Sequence, residues 1–234
     1  MALPFFYAPD IAVHPDQYIF NEDSSRHVAQ VLRMNDGEQL QLTDGKGNVY
    51  TAGITDNSKK RCSVKIISSH SQPAPDKKIT IAISVVKNMH RFEWFLEKAT
   101  EIGVTGIIPL LCSRTEKQHF RHDRMQGLLI SAMLQSQQSW LPVLGEPEKF
   151  ISFVKRVTGS QKFIAHCEDH EAKIQLTSFQ PFFSPVILIG PEGDFTIDEI
   201  EAAFQNNFKE VALGDTRLRT ETAGVVAATI FKLC

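Results

Sequence analysis

Apolar positions along this chain follow two different periods, and the change falls near residue 70. Before it, Leu40-Gln41-Leu42-Thr43 and Val49 to Ile54 alternate apolar with polar around the turn-forming Asp44-Gly45-Lys46-Gly47-Asn48. That pattern predicts two antiparallel strands joined by a tight loop, with Cys62 to Ile67 as another short strand. Ser24 to Met34 is the helical exception, with Val28, Val31 and Leu32 expected on one buried face and Asn35-Asp36-Gly37 ending it. Ser68 to Asp76 is rich in Ser and Pro and has no period, so it reads as a boundary between residues 1–72 and residues 73–234.

Beyond the boundary, strands alternate with helices. Ile79 to Val86 is a continuous apolar run, and Phe92, Phe95, Leu96, Ala99 and Ile102 recur at helical spacing up to Gly103. The pattern repeats with a strand at Gly106 to Leu111, then a helix from Arg121 to Gln138 with Met125, Leu128, Leu129, Ala132 and Met133 inward. A short helix at Phe150 to Val157 leads to a strand at Lys162 to Ala165. Two further strands follow, Val186 to Ile189 and Val211 to Leu213. Between them Thr196 and Glu199 form a capping box for a helix whose Ile200 and Phe204 are expected in the core, and a last helix runs from Glu221 to Leu233. Such alternation predicts an α/β domain with a mostly parallel sheet covered on both faces.

Composition narrows the picture. With 234 residues and 42% hydrophobic content the chain can bury a real core, so intrinsic disorder is excluded. A formal net charge of −2 offers no global attraction for nucleic acid, so any such contact must come from local patches, and DNA is not an expected partner. Candidate patches are Lys59, Lys60, Arg61 and Lys65; Arg26, His27 and Arg33; and Arg114, Lys117, Arg121 and Arg124. The four cysteines lie far apart without a CxxC pair, which fits reduced thiols in a cytoplasmic protein. No basic leader and no membrane-length apolar run is visible, so no membrane association is expected. His166 and His170 have the spacing of a zinc helix but directly follow a strand, and no metal site is expected. P-loop, GxGxxG and GxSxG motifs are all missing.

The chemistry concentrates where two strands empty into loops: Ile189-Gly190-Pro191-Glu192-Gly193-Asp194-Phe195-Thr196, and Leu213-Gly214-Asp215-Thr216-Arg217-Leu218-Arg219-Thr220-Glu221-Thr222-Ala223. Open α/β sheets bind ligands at the carboxyl ends of their strands, where loop backbone and helix N-termini supply donors. A helix cap would need only one of the polar groups in the second loop.

These two loops resemble the signature of the 16S ribosomal RNA uridine-N3 methyltransferases of the SPOUT superfamily, the RsmE family. The resemblance extends to Arg26-His27-Val28-Ala29-Gln30-Val31-Leu32-Arg33 and to Glu97-Lys98-Ala99-Thr100-Glu101-Ile102-Gly103-Val104 before Ile107-Ile108-Pro109-Leu110. It departs at Asp194, where a third glycine is usual, and at Lys87-Asn88-Met89-His90-Arg91, where a Lys-Gly-acidic-Arg turn is usual. The resemblance implies a PUA-like N-terminal β-barrel over residues 1–72 and a SPOUT methyltransferase domain with a C-terminal trefoil knot over 73–234. It also implies a homodimer, S-adenosylmethionine as cofactor, and 16S rRNA within the small ribosomal subunit as substrate. A SPOUT enzyme acting on another RNA such as tRNA, or an RNA-binding homologue without turnover, are the other readings of the same fold.

Site residues follow from that resemblance and from residue chemistry. Gly190, Pro191, Gly193 and Gly214 would let loop backbone approach the cofactor, Ile189, Leu213, Leu218 and Ala223 would wall it, and His166, Glu192, Arg219 and Thr220 would supply polar contacts. N3 of uracil carries a proton, so methylation needs a base, for which Glu221 or Glu192 are candidates. It also needs a cation for the developing anion, for which Arg219 at a helix start is the candidate. Arg26, His27, Arg33, Lys60, Arg61, Arg114 and Lys117 are the expected RNA contacts.

Overall fold

The computed structural model describes residues 3–12, 15–116, 120–159, 161–168 and 173–234. The chain divides into two compact units, Met1–Ala74 with Met133–Leu141, and Pro75–Ala132 with Pro142–Cys234.

The first unit is built on strands β1 (Phe5–Tyr7), β2 (Gln17–Ile19), β3 (Gln39–Thr43), β4 (Asn48–Asp56) and β5 (Ser63–Ser71), in the sheet order β1-β3-β4-β5-β2. The alternation along β3 puts Leu40 and Leu42 into a core with Phe6, Phe20, Val28, Ala52, Ile54 and Val64. Strand β5 continues into the Ser/His stretch at the expected boundary. Thr51, Tyr50, Val49 and Asn48 of β4 pair with Ser68, Ser69, His70 and Ser71, and backbone pairing needs no apolar side chain on an exposed edge. Residues Met133–Leu141 join this unit through backbone bonds, Gly47 donating to the Ser139 carbonyl at 2.9 Å and Leu141 to that of Gly45 at 2.9 Å.

The expected helix at Ser24 to Met34 is corrected. An α-turn, α1 (Glu22–Arg26), passes into a π-turn at His27–Val31, where the Leu32 N–H reaches back five residues to the His27 carbonyl at 3.0 Å. The wider turn breaks the helical register, so only Val28 is buried while Val31 is 65% and Leu32 40% exposed.

The second unit carries a seven-stranded sheet in which every pairing is parallel. Its strands are β6 (Thr80–Ser84), β7 (Gly106–Leu111), β8 (Val143–Leu144), β9 (Glu148–Lys149), β10 (Gln161–Ala165), β11 (Pro185–Ile189) and β12 (Lys209–Glu210), in the order β12-β10-β11-β6-β7-β8, with β9 also on β7. Helices are α2 (Met89–Ile102), α3 (His122–Gln135), α4 (Phe150–Arg156), α5 (Ile197–Gln205) and α6 (Thr220–Leu233). Alternation across the pleat sorts the core. Val186, Leu188 and Ile164 pack with Phe150, Phe153, Phe195, Ile200 and Ala203, while Phe163 turns to the other side, its ring 5.9 Å from that of Phe231 on α6. Gly103 ends α2 in the left-handed region at φ 94°, as its place after the apolar stripe predicts.

Two expectations in this unit are corrected. Phe204 is 40% exposed, because the chain turns after α5 and Phe208 fills the core position instead. The ladder of the last strand lies at Lys209–Glu210 rather than Val211 to Leu213. Val211 is buried and its N–H still reaches the Ile164 carbonyl at 3.0 Å, but Ala212 leaves the edge to bridge Gln175. Among the described residues no helix is long and apolar enough to cross a membrane.

Candidate active site

Three parallel strands end on one side of the second unit, and the loops that leave them enclose a cavity of about 760 Å³. Strand β11 is buried throughout, and the chain exits it at Gly190, where a Cβ would stand 3.2 Å from the Phe195 ring and 3.3 Å from Asp194 Oδ1. The loop is closed tightly enough there to favour glycine. It turns at Asp194, whose φ of 63° lies in the left-handed region that Asp tolerates better than most residues. The Asp194 N–H donates to the Pro191 carbonyl at 2.9 Å, Oδ1 accepts from the Phe195 N–H at 2.8 Å, and Oδ2 accepts from the Cys167 N–H at 2.7 Å. Asp194 therefore clamps the β10 exit loop to the β11 exit loop, a role its departure from the usual glycine did not announce.

The capping box of α5 holds the far end of this loop: Glu199 Oε2 accepts from the Thr196 N–H, and Glu199 Oε1 accepts from the Ser113 N–H at 2.8 Å. Burial, with the Glu199 carboxylate as a second cause, pushes the neighbouring Cys112 thiol up to about 12, so this cysteine is a packing residue, not a nucleophile. The third loop leaves β12, passes Gly214 at φ 140° and reaches Arg219, which precedes α6 without a side-chain cap bond of its own. One residue on, the buried Thr220 hydroxyl donates to the Gly190 carbonyl at 2.9 Å and fastens the two signature loops together.

At the β10 exit, the His166 side chain is fully buried, with Nδ1 3.2 Å from Lys173 Nζ and Nε2 3.3 Å from Glu210 Oε2. An ammonium only donates, so Nδ1 is the acceptor in the Lys173 contact, and Nε2 is turned toward the Glu210 carboxylate. Lys173 also donates to the carbonyls of His166 at 2.6 Å and Glu168 at 2.7 Å, fixing the backbone of this wall.

Of the residues expected at the cofactor, His166, Ile189, Gly190, Pro191, Glu192, Leu213, Gly214, Leu218, Arg219, Thr220 and Ala223 all line the cavity. Gly193 does not: its carbonyl accepts from Arg114 at 2.7 Å on the outside of the loop. Glu192 lies on the wall with Oε1 accepting from the Lys87 N–H at 3.0 Å. Glu221 is not among the lining residues; its carboxylate is buried, with Oε1 3.7 Å from Arg91 Nε. The wall also includes Cys167, from the strand-end segment His166-Cys167-Glu168 that the sequence offers as a third contact, and Arg91, Lys173 and Asp194, none of which sequence reasoning selected as cofactor contacts. Arg91 ends the altered Lys87–Arg91 segment and lies in the first turn of α2, and that alteration was the available signal; Lys173 had none.

Expected RNA contacts are placed as follows. In the first unit Arg26, His27, Arg33, Lys60 and Arg61 are exposed, with Arg26 paired to Glu22 at 2.6 Å and the His27 ring edge-on to Phe6 at 5.8 Å. Arg114 of the second unit is exposed and also braces the loop, since one guanidinium nitrogen donates to the Gly193 and Phe195 carbonyls. Lys117, along with His119 and His170, lies outside the described residues. No group of three or more metal-ligating side chains occurs among the described residues.

Residues 72–232 match the family of RNA methyltransferase domains, and residues 20–67 match the PUA domain of RNA methyltransferases. The chain belongs to this RNA methyltransferase family. Similar members include a probable rRNA-methyltransferase from Porphyromonas gingivalis, 36% identical with a TM-score of 0.89, the alignment covering 97% of this chain and 95% of that one. The ribosomal RNA small subunit methyltransferase E of Neisseria gonorrhoeae, solved bound to S-adenosyl methionine, is 29% identical with a TM-score of 0.87, covering 97% and 95%. A protein of the same name from Rickettsia conorii is 28% identical over 212 residues, 88% of this chain and 85% of its own. The family match thus spans the sheet, the signature loops and α6, and the PUA match falls within the first unit.

Proposed function

We propose that this chain transfers the methyl group of S-adenosylmethionine to N3 of one uridine in 16S ribosomal RNA. The observation that carries this reading is the single cavity formed by residues 189–192 and 213–220, because a sulfonium donor needs both an apolar cradle and polar loop backbone in one place. Family membership and the relatives' names support it. The residues present suit the donor: Ile189, Leu213, Leu218 and Ala223 offer apolar wall, Glu192 and Asp194 offer negative charge toward a sulfonium, and Arg217 and Arg219 offer positive charge.

When bound, the cofactor supplies an electrophilic methyl carbon on sulfur. Glu192 is the candidate base, since its carboxylate lies on the cavity wall and is aligned by the Lys87 N–H. The N3–H proton passes to Glu192, the N3 electron pair forms the new N–C bond, and the S–C pair returns to sulfur as a neutral thioether. Arg219 at the start of α6 would stabilise charge on a uracil carbonyl, with helix dipole and guanidinium acting together. The exposed cations of the first unit, Arg26, His27, Arg33, Lys60 and Arg61, are the proposed RNA contacts. Homodimerisation, the trefoil knot, action on the assembled small subunit and a cytoplasmic location belong to the same proposal.

Calorimetric titration should show saturable S-adenosylmethionine binding, and Arg219→Ala should lower methyl transfer by about 100-fold or more with the fold intact. Mapping of methylated uridines in cells with and without the gene should reveal one N3-methyluridine in 16S rRNA that depends on it. A methylated site in tRNA instead, or no cofactor binding at all, would overturn the proposal.

A further inference from the structure

Arg91 and Glu221 form a unit at the cavity that the proposed chemistry has not used. Arg91 sits in the first turn of α2, at the positive end of the helix dipole, where a cation is disfavoured, yet its side chain lines the cavity and is 40% exposed. Glu221 lies in the first turn of α6, where a carboxylate is favoured, and α6 packs along α2. Its side chain is only 8% exposed, Oε1 stands 3.7 Å from Arg91 Nε, and Oε2 is buried without a hydrogen-bond partner. A carboxylate so placed has no face on the cavity from which to accept a proton from substrate. Its contact with Nε leaves the two terminal guanidinium nitrogens of Arg91 with no protein hydrogen bond among the described residues. Those two nitrogens form the edge with which arginine grips planar oxygen ligands.

We propose that Arg91 is a second guanidinium of the acceptor site, donating to a uracil carbonyl oxygen as N3 loses its proton, and that Glu221 is the positioning residue that holds it there. The inference rests on the methyltransferase reading and deepens it. N3 of uracil lies between two carbonyls, so the anion left by deprotonation spreads over both oxygens. Arg219 alone serves one of them; Arg91, on the same cavity wall, serves the other. Atoms balance as before, with the proton on Glu192 and the methyl on N3, and Glu221 exchanges nothing.

The test uses the full chain with small ribosomal subunits lacking the modification, read by cofactor affinity, single-turnover methyl transfer and its pH profile. Arg91→Ala is expected to leave the S-adenosylmethionine Kd within about threefold while transfer falls about 100-fold, with Arg91→Lys recovering only part. Glu221→Gln is expected to slow transfer about tenfold with the acid limb of the pH profile unchanged, and Glu221→Gln added to Arg91→Ala to cost nothing further, because the two act as one unit. Near-normal transfer by Arg91→Ala would overturn the inference, as would multiplicative losses in the double variant. Loss of the acid limb in Glu221→Gln would make Glu221 the base and overturn it too. A wild-type chain that binds cofactor but methylates no uridine would overturn the underlying reading as well, and that outcome is distinct from all three.

Discussion

Asp194 shows how one side chain sets a site. Its positive φ would cost most residues about 1–2 kcal/mol, and its carboxylate offsets this by accepting from two backbone N–H groups that belong to different loops. Asp194→Ala should lose both bonds and keep the unfavourable φ, destabilising the protein by about 2 kcal/mol or more and weakening cofactor binding at least about tenfold. Asp194→Gly relieves the backbone but leaves the Cys167 and Phe195 N–H groups without their acceptor, so it should fall between Ala and wild type. Thermal melts with calorimetry on the two variants check this order, and an Ala variant as stable as the wild type would mean that Asp194 clamps nothing. Sequence alone marked Asp194 as a departure from a glycine pattern and a local burden. Its compensating partner Cys167 is 27 residues away and comes into reach only through the pairing of β10 with β11.

At the scale of elements, the close approach of α6 to α2 and β6 places Glu221 beside Arg91 and Thr220 beside Gly190. Gly224 permits it: a Cβ there would stand 2.6 Å from Phe95 Cε2 and 3.0 Å from Ile83 Cδ1, both side chains being fully buried. Gly224→Ala should therefore destabilise by about 1–3 kcal/mol through overpacking, outweighing the roughly 1 kcal/mol of helix propensity that alanine restores. Denaturant unfolding measures this, and a stabilised variant would mean that the ring shifts freely. The small residues of α6 were legible as permitting a close neighbour. That the neighbour would be α2 was not, since contact between residues 95 and 224 is decided by the strand order.

For the whole molecule, a net charge of −2 means that RNA affinity must be built from local cations. Several arginines are already committed, Arg114 to loop carbonyls, Arg124 to Glu93 at 2.7 Å and Arg156 to Glu148. Lys60 and Arg61 are exposed and make no ion pair among the described residues. Replacing both with Ala should reduce the slope of log affinity against log salt for ribosomal RNA by about 0.7–0.9 for each phosphate no longer neutralised, with cofactor affinity unchanged. Filter binding across a salt series checks this, and an unaltered slope would remove this pair from the RNA surface.

The local signals in the chain determined the alternation of strands and helices, the Thr196–Glu199 capping box, the Gly103 stop and the two polar loops at strand ends, because each depends on residues within one or two turns of one another. Periodicity misjudged Val31, Leu32 and Phe204, where a π-turn and a tight reversal shift the facing of side chains. Tertiary structure alone decided which residues share the cavity wall. It brought Arg91, Lys173 and Asp194 onto that wall and kept Glu221 off it, since a carboxylate's role depends on what stands within a few ångströms of it, and only the parallel order of β12, β10, β11 and β6 sets those neighbours.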